Sequence, residues 1–295
     1  MFGLYFGKYL VEKNRISKSQ YEDIIRQQKN AHVKLGVIAV SEKLLTKKQA
    51  EEINNIQKTM DKRFGDIAIE KGYLLAEEVA YLLNIQGNPY LQFVQVCSDN
   101  DILTLDEIEK LLDDYKADYG LSDSDIDALK SGDIDRIVSV FVSKHSPLCN
   151  DCISLNIRNM VRFINNNILL KKAYSVNTYK YETLSCQRMF GDHQFFIGIA
   201  GNNNDLLEIA NPFAKENFSD MNEDAFDSVC EFINCNNGLY ASELSQKDIH
   251  IDMTPPLFYK NGKLISEGNI HVVPVIINDK QVELLVAVDS LVNVA

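Results

Sequence analysis

Three pairs, Phe6-Gly7, Leu35-Gly36 and Phe64-Gly65, recur 29 residues apart. Self-similarity at one fixed period restricts a chain to stacked units of the same local fold. Gln28, Gln57 and Gln86 keep the spacing, and so do Ser17, Thr46, Leu75 and Thr104. Three residues after each of those four stands Gln20, Gln49, Glu78 or Glu107. A hydroxyl followed three positions on by Glu or Gln is a capping box, in which each side chain satisfies the other's free backbone amide at a helix start. Each unit is therefore predicted to hold a short helical segment after its Gly, a turn, and a capped helix ending near its Gln. The fourth unit is degenerate, with Phe93-Val94 for the glycine pair and Tyr115 for the Gln. An atypical last unit is expected where stacked repeats close.

Apolar residues make up 45% and charged residues 24% of the 295-residue chain, the range of ordinary globular proteins of about two domains. Net charge is −12, which argues against a nucleic-acid polymer as partner. Residues 1–92 carry 14 Lys and Arg against 11 acids, whereas 99–135 carry 3 against 13. The first segment has the balance to take a small anion, and the second reads as a solvated acidic helical face. No apolar run is long enough to span a bilayer, and MFGLYFGKYLVEKNR lacks a basic start, so neither membrane insertion nor a signal peptide is expected. Six cysteines are too few for a disulfide framework at this length, which points to a reducing, cytoplasmic setting.

The repeat resembles the tandem units in the N-terminal domains of type II secretion and pilus assembly ATPases, which have the form Arg-Leu-Gly, apolar helix, turn and distant Gln. In the MshEN branch two such units wrap cyclic di-GMP. Over about 5–115, Lys34-Leu35-Gly36 to Gln57 and Arg63-Phe64-Gly65 to Gln86 follow that pattern. The resemblance implies nucleotide-binding candidates Lys34, Gly36, Gln57, Arg63, Gly65 and Gln86, with cyclic di-GMP as ligand. The position of the family's Arg holds Tyr5, Lys34 and Arg63 in turn. Only Arg63 has the planar fork that pairs with phosphate or guanine. A purely structural or interaction role for the repeats is the competing reading.

Residues 1–115 form the repeat module, 116–151 an acidic helical connector, and 152–295 a second domain. In the connector, Ser122 to Asp125 offer N-caps for a helix to about Lys130, and Ser146-Pro147-Leu148 marks a boundary. His145, Cys149 and Cys152 suggest a metal knuckle, but a structural zinc needs four ligands and there is no second Cys-x-x-Cys. No metal site is assigned.

Residues 153–295 change character. A helix is expected over Val161–Lys172, extended segments near 176–184, 194–200 and 205–211, a long helix from about Asn222 to Ser245, and further extended segments at 248–252, 256–265, 269–277 and 281–289. Asn278-Asp279 between apolar runs signals a hairpin. The domain is α+β with a mostly antiparallel sheet. On the long helix Phe226, Val229, Cys230, Ile233, Tyr240 and Leu244 fall on one side and should face the sheet. Asp227, Glu231, Asn234 and Gly238 share an opposite arc of about 60°. That row could be an ordinary polar outer face, but Asn and Gly are costly inside a helix.

Asp227-Ser-Val-Cys-Glu231-Phe-Ile-Asn234, with Pro255-Pro256 following, resembles the signature of the CheC/CheX/FliY phosphatases of chemotaxis. The resemblance covers about 155–290 and implies a CheX-like α/β sandwich. Arg162-Phe163-Ile164-Asn165 echoes Glu231-Phe232-Ile233-Asn234, as expected of a family built from two related halves. Here Arg162 stands where Glu is needed, so one motif remains, as in CheX, which works as a dimer.

The implied substrate is the acyl phosphate of a phosphorylated CheY-like receiver domain. The implied roles are water positioning by Asn234, docking by Glu231 against the partner's Lys, and partner contact at Asp227 and Gly238. Mg²⁺ would be supplied by the partner, with no cofactor on this chain. The competing readings are a non-catalytic receiver-binding adaptor and a cyclic di-GMP sensor.

Overall fold

The computed structural model describes every residue except 29, 61 and 143–145. His145, considered above as a metal ligand, lies outside the described residues. The chain divides into two compact units, Met1–Gly132 and Asp133–Ala295. The segment 116–151 is shared between them.

The N-terminal unit is helical: α1 (Phe2–Glu12), α2 (Lys18–Gln28), α3 (Leu35–Ser41), α4 (Lys47–Gln57), α5 (Phe64–Glu70), α6 (Ala76–Asn84), α7 (Pro89–Asp99), α8 (Leu105–Tyr119) and α9 (Asp123–Ser131). Helices α2, α4, α6 and α8 start at 18, 47, 76 and 105, one period apart. Their starts are set by the boxes. Gln20 N donates to Ser17 Oγ at 3.1 Å while Ser17 N donates to Gln20 Oε1 at 2.8 Å. Thr46 with Gln49 and Thr104 with Glu107 repeat this pair of bonds. Leu75 has no side-chain acceptor, so only the return bond survives there, Leu75 N to Glu78 Oε2 at 2.7 Å.

The repeated glycines are places where helices touch. A Cβ on Gly7 would lie 2.6 Å from the Tyr21 ring, and one on Gly65 2.7 Å from Val79 Cγ1, fourteen residues on in each case. Phe2, Phe6, Tyr9, Phe93 and Tyr115 form a buried aromatic cluster joining the first and last units of the array.

The C-terminal unit contains α10 (Ile134–Phe141), α11 (Pro147–Asn159), β1 (Ile168–Leu170), β2 (Tyr174–Gly191), β3 (Phe195–Gly201), α12 (Asn203–Ala214), α13 (Glu223–Ser245), β4 (Ile251–Met253), β5 (Leu257–Ile277), β6 (Lys280–Val288) and β7 (Val292–Val294). Every described strand pairing is antiparallel, in the order β1-β5-β6-β3-β2-β4. The long strand β5 also pairs with β2, so β2, β3, β6 and β5 close a circuit around a core of Leu184, Cys186, Phe196, Leu264, Ile270, Val272 and Leu285. Helices α12 and α13 cover the other face.

Three expectations are corrected. The helix over Val161–Lys172 is absent. Its predecessor starts earlier, at the Ser146 cap and Pro147, and finishes through a π-helical turn at Met160–Ile164. Ile168-Leu169-Leu170 then pairs with β5. A short, wholly buried apolar run does not distinguish strand from helix by periodicity. The extended segment at 205–211 is helix α12. Asn202 Oδ1 accepts from Asp205 N at 2.9 Å, and Leu206, Ile209 and Ala210 are buried at helical spacing. The segments 256–265 and 269–277 are one continuous strand. Asn278 and Asp279 turn the hairpin with φ of 47° and 64°, the two positive values that a tight primed turn needs.

Candidate functional site

Asn222 caps α13 by accepting from Ala225 N at 2.9 Å, which fixes the helix phase from its first turn. Phe226, Val229, Cys230, Ile233, Tyr240 and Leu244 are buried as the wheel requires. Ala225, Ser228, Phe232, Asn236 and Asn237 are buried too, because α11 and α12 pack on flanks that a helix lying on a sheet alone would leave open. The named row lies at the surface, Asp227 and Glu231 exposed and Asn234 and Gly238 partly so, with Cys235, Leu239 and Ser242 exposed along one side of it.

The row is organised by hydrogen bonds. Asn234 Nδ2 donates to Glu231 Oε2 at 3.3 Å, as residues three apart on one helix face allow. Asn234 Oδ1 points inward and accepts from Gln187 Nε2 at 2.8 Å. The same Gln187 nitrogen donates to Thr254 O at 2.7 Å, and Gln187 Oε1 accepts from Asn237 Nδ2 at 2.8 Å. Thr254 is held in turn by β2, its N donating to Arg188 O at 3.0 Å. Pro255 and Pro256 follow. Lacking N–H groups, they end the β4 pairing and turn the chain across the row.

Asp227, Glu231 and Pro256 line a crevice of about 390 Å³ with Cys230, Leu257 and Phe258. The ring of Phe258 stacks on Phe226 at 4.4 Å, and Lys260 Nζ on β5 lies 4.7 Å from the Phe226 centroid. Gly238 has room for a side-chain carbon. A Cβ there would meet only Met253 Cε, at an ordinary 3.7 Å. Nothing in this chain's own packing calls for glycine at that position.

Cys235 stands beside the row and its thiol donates to Glu231 Oε1 at 3.5 Å. Burial, then this bond and the Glu231 charge, raises the thiol above its usual pKa. It is a protonated donor at neutral pH, not a nucleophile. The arrangement offers a fixed carboxamide, two carboxylates and bare helix backbone. That set can position and dock.

The N-terminal candidates are brought close in pairs. The helix starts at Leu35-Gly36 and Phe64-Gly65 meet, Gly36 against the Phe64 ring and Gly65 against Leu35. Gln57 Nε2 donates to Lys62 O at 3.1 Å and Gln86 Nε2 to Val33 O, one residue before Arg63 and Lys34 respectively. Lys34 Nζ pairs with Asp99 at 2.7 Å, and Arg63 is exposed. Of these six residues only Gly36 lines the cavity of about 590 Å³ between α3/α4 and α7/α8. Among the described residues no cluster could hold a metal ion, and Cys149 and Cys152 are buried within α11. No described helix is long and apolar enough to cross a membrane.

Gln187 and Thr254 were missed in the sequence. A lone Gln in a strand reads as solvent-facing, and nothing local ties it to a helix 47 residues on.

Residues 183–278 match the family model of the chemotaxis phosphatase CheX, a span that contains α13, Gln187 and Pro255-Pro256. Among solved structures the chain is similar to a CheC-like superfamily protein from Shewanella sp. PV-4, at 20% identity over 49% of this chain and 99% of that one, with a TM-score of 0.43. It is also similar to the chemotaxis protein CheX from Desulfovibrio desulfuricans, at 12% identity over 48% and 98%, TM-score 0.42. A third similarity is to the CheX–CheY–BeF₃–Mg²⁺ complex from Borrelia burgdorferi, at 18% identity over 46% and 94%, TM-score 0.37. No curated protein matches the sequence.

Proposed function

We propose that the C-terminal unit dephosphorylates the acyl phosphate of a CheY-like receiver domain. The observation that carries this reading is the outward Asn234 amide beside Glu231, on the one open face of a helix inside the CheX match. In this reaction a water oxygen attacks phosphorus in line, the bond from phosphorus to the acyl oxygen breaks, and the aspartate leaves with the electron pair. The transition state is loose and its charge is spread over the phosphoryl oxygens, so catalysis is mainly positioning and electrostatics. The receiver brings its Mg²⁺ and Lys. Asn234 Nδ2 donates to one lone pair of the water, leaving the other aimed at phosphorus. Glu231 bridges to the receiver's Lys, Asp227 bears on the edge of the docked surface, and Gly238 lets the partner's loops approach the helix backbone. No general acid is needed, because the leaving carboxylate is already stable, and the attacking water carries little charge in a loose transition state, its proton ending on the phosphate product.

The test is turnover. A receiver phosphorylated with a small phosphodonor is followed as it decays, with and without the full chain. Acceleration is expected, falling on the order of 10²-fold in Asn234→Ala. Equal acceleration by wild type and Asn234→Ala would sink the assignment of the site. Binding of the phosphorylated receiver without acceleration would replace the phosphatase by an adaptor.

A further inference from the structure

We propose that Gln187 is the positioning residue that sets which end of the Asn234 carboxamide faces the partner. The proposal deepens the phosphatase reading and rests on it for its catalytic consequence.

Thr254 O is a backbone carbonyl and can only accept. The Gln187 atom 2.7 Å from it is therefore the amide nitrogen. The other end of Gln187 is then the oxygen, which agrees with its partner, Asn237 Nδ2 at 2.8 Å. With Gln187 fixed at both ends, the Asn234 atom 2.8 Å from Gln187 Nε2 must be an acceptor, its Oδ1. Asn234 Nδ2 is then left on the outer side, next to Glu231 Oε2. The orientation of the outer amide is thus dictated in three steps from a backbone carbonyl, through a side chain only 2% exposed.

An Asn on a helix surface turns freely about its last torsion, whose wells are broad and roughly two-fold. Flipping Asn234 here would set its NH₂ against the NH₂ of Gln187 and forfeit a part-buried bond. That penalty favours the observed orientation by about tenfold or more. A water held by Asn234 would consequently meet the same donor each time. Gln187 stands on β2 and its amide nitrogen is held by Thr254 O, so the bond that fixes its orientation lies outside α13. Thr254 sits directly before Pro255-Pro256, so that pair also holds in place the carbonyl from which the orientation of both amides follows.

The experiment uses the full chain with Gln187→Met, which keeps length and removes both hydrogen-bonding ends, and Asn237→Ala, which leaves the Gln187 donors but frees its oxygen. Two quantities are read: kcat and KM for dephosphorylation of the phosphorylated receiver, and the order of the Asn234 side-chain NH₂ by ¹⁵N relaxation. Gln187→Met is expected to lower kcat about tenfold with KM within about twofold, since docking by Glu231 is intact. Asn237→Ala is expected to lower kcat about threefold. The Asn234 NH₂ signal becomes mobile in Gln187→Met and less so in Asn237→Ala, where Gln187 loses one of its two anchors. If Gln187→Met keeps wild-type kcat per folded molecule while Asn234→Ala loses it, the positioning role is overturned and the phosphatase reading stands. If wild type gives no turnover, that reading falls, and an Asn234 NH₂ equally ordered in wild type and Gln187→Met overturns the positioning role as well. Should Gln187→Met fail to fold, Asn237→Ala decides by the same two readouts.

Discussion

Gly65 on α5 and Gly238 on α13 are both helical glycines, one in each unit, and their surroundings are opposite. Gly65 is closed in by Val79, and its counterpart Gly7 by Tyr21. A Cβ on Gly238 would make only an ordinary contact, with Met253. The amides contrast in the same way. Gln57 and Gln86 turn their NH₂ groups onto backbone carbonyls of the repeat, whereas Asn234 turns its carbonyl inward and its NH₂ toward the surface. Residue types that suggest ligand chemistry are absorbed by helix packing in one unit and left over in the other. A glycine or an amide signals function only when the fold has not already used it.

The sharpest way to break this contrast is to measure turnover. Asn234→Ala is expected to lose on the order of 10²-fold in kcat, and Arg63→Ala, at an exposed position of the repeat, to stay within about twofold of wild type. A large loss in Arg63→Ala would mean that the repeat is part of the reaction and that the contrast is false. Stability tests the glycines directly. Gly65→Ala should destabilise by about 1–3 kcal/mol, because Val79 is branched and packed and must move. Gly238→Ala should stabilise by about 0.5–1 kcal/mol, since Ala fits and glycine is the costlier helix residue. Denaturant melts of the two variants are expected to shift in opposite directions. The bulkier Gly238→Leu should raise KM for the phosphorylated receiver on the order of tenfold, by obstruction. A fall in stability for Gly238→Ala would show that the glycine serves the fold after all.

The sequence made the helical repeat legible because capping boxes and a fixed period are local signals. The exposed row on α13 was legible because one helix phase separates Phe226 and Val229 from Asp227 and Glu231. Two kinds of information were out of reach. Ile168-Leu169-Leu170 and Leu206–Ala210 are short apolar runs whose state is decided by what they pack on, here β5 for the first and the sheet with α13 for the second. The Gln187 network joins β2, the segment after β4, and α13, and no spacing within any one of them announces the others. The parts of the site carried by one helix could be read directly. The part that orients Asn234 is tertiary.

A smaller effect sharpens the comparison within the repeat. Leu75 occupies an N-cap position with 60% of its surface exposed, and Glu78 already supplies the return bond to its backbone. Leu75→Thr would supply the missing acceptor for the Glu78 amide and complete the box found at Thr46 and Thr104. The expected gain is about 1 kcal/mol, read as a higher denaturation midpoint with unchanged slope. No gain would mean that the boxes mark helix starts without stabilising them.

The weakest expected effect concerns acid, and it too divides the units. In the N-terminal unit the Glu52 carboxyl is held below its usual range by bonds from Lys71 and Tyr73. Glu107 is lowered by the Thr104 amide and hydroxyl, and Asp118 by Lys13 and Tyr9. Each takes up a proton more readily when unfolded, so its contribution is complete above the ordinary carboxylate range and is lost as pH falls through the lowered folded value. In the C-terminal unit Asp205 is shifted the other way, raised first by burial. Its folded form takes up a proton more readily, so acid favours the fold there. Between about pH 5 and pH 3, amide protection factors should fall in α4 and α8 before they do in β5 and β6. The three lowered groups are at the surface, so added salt should narrow the difference. Earlier loss of protection in the sheet would show that acid stability is set by burial in the sheet and not by these surface pairs.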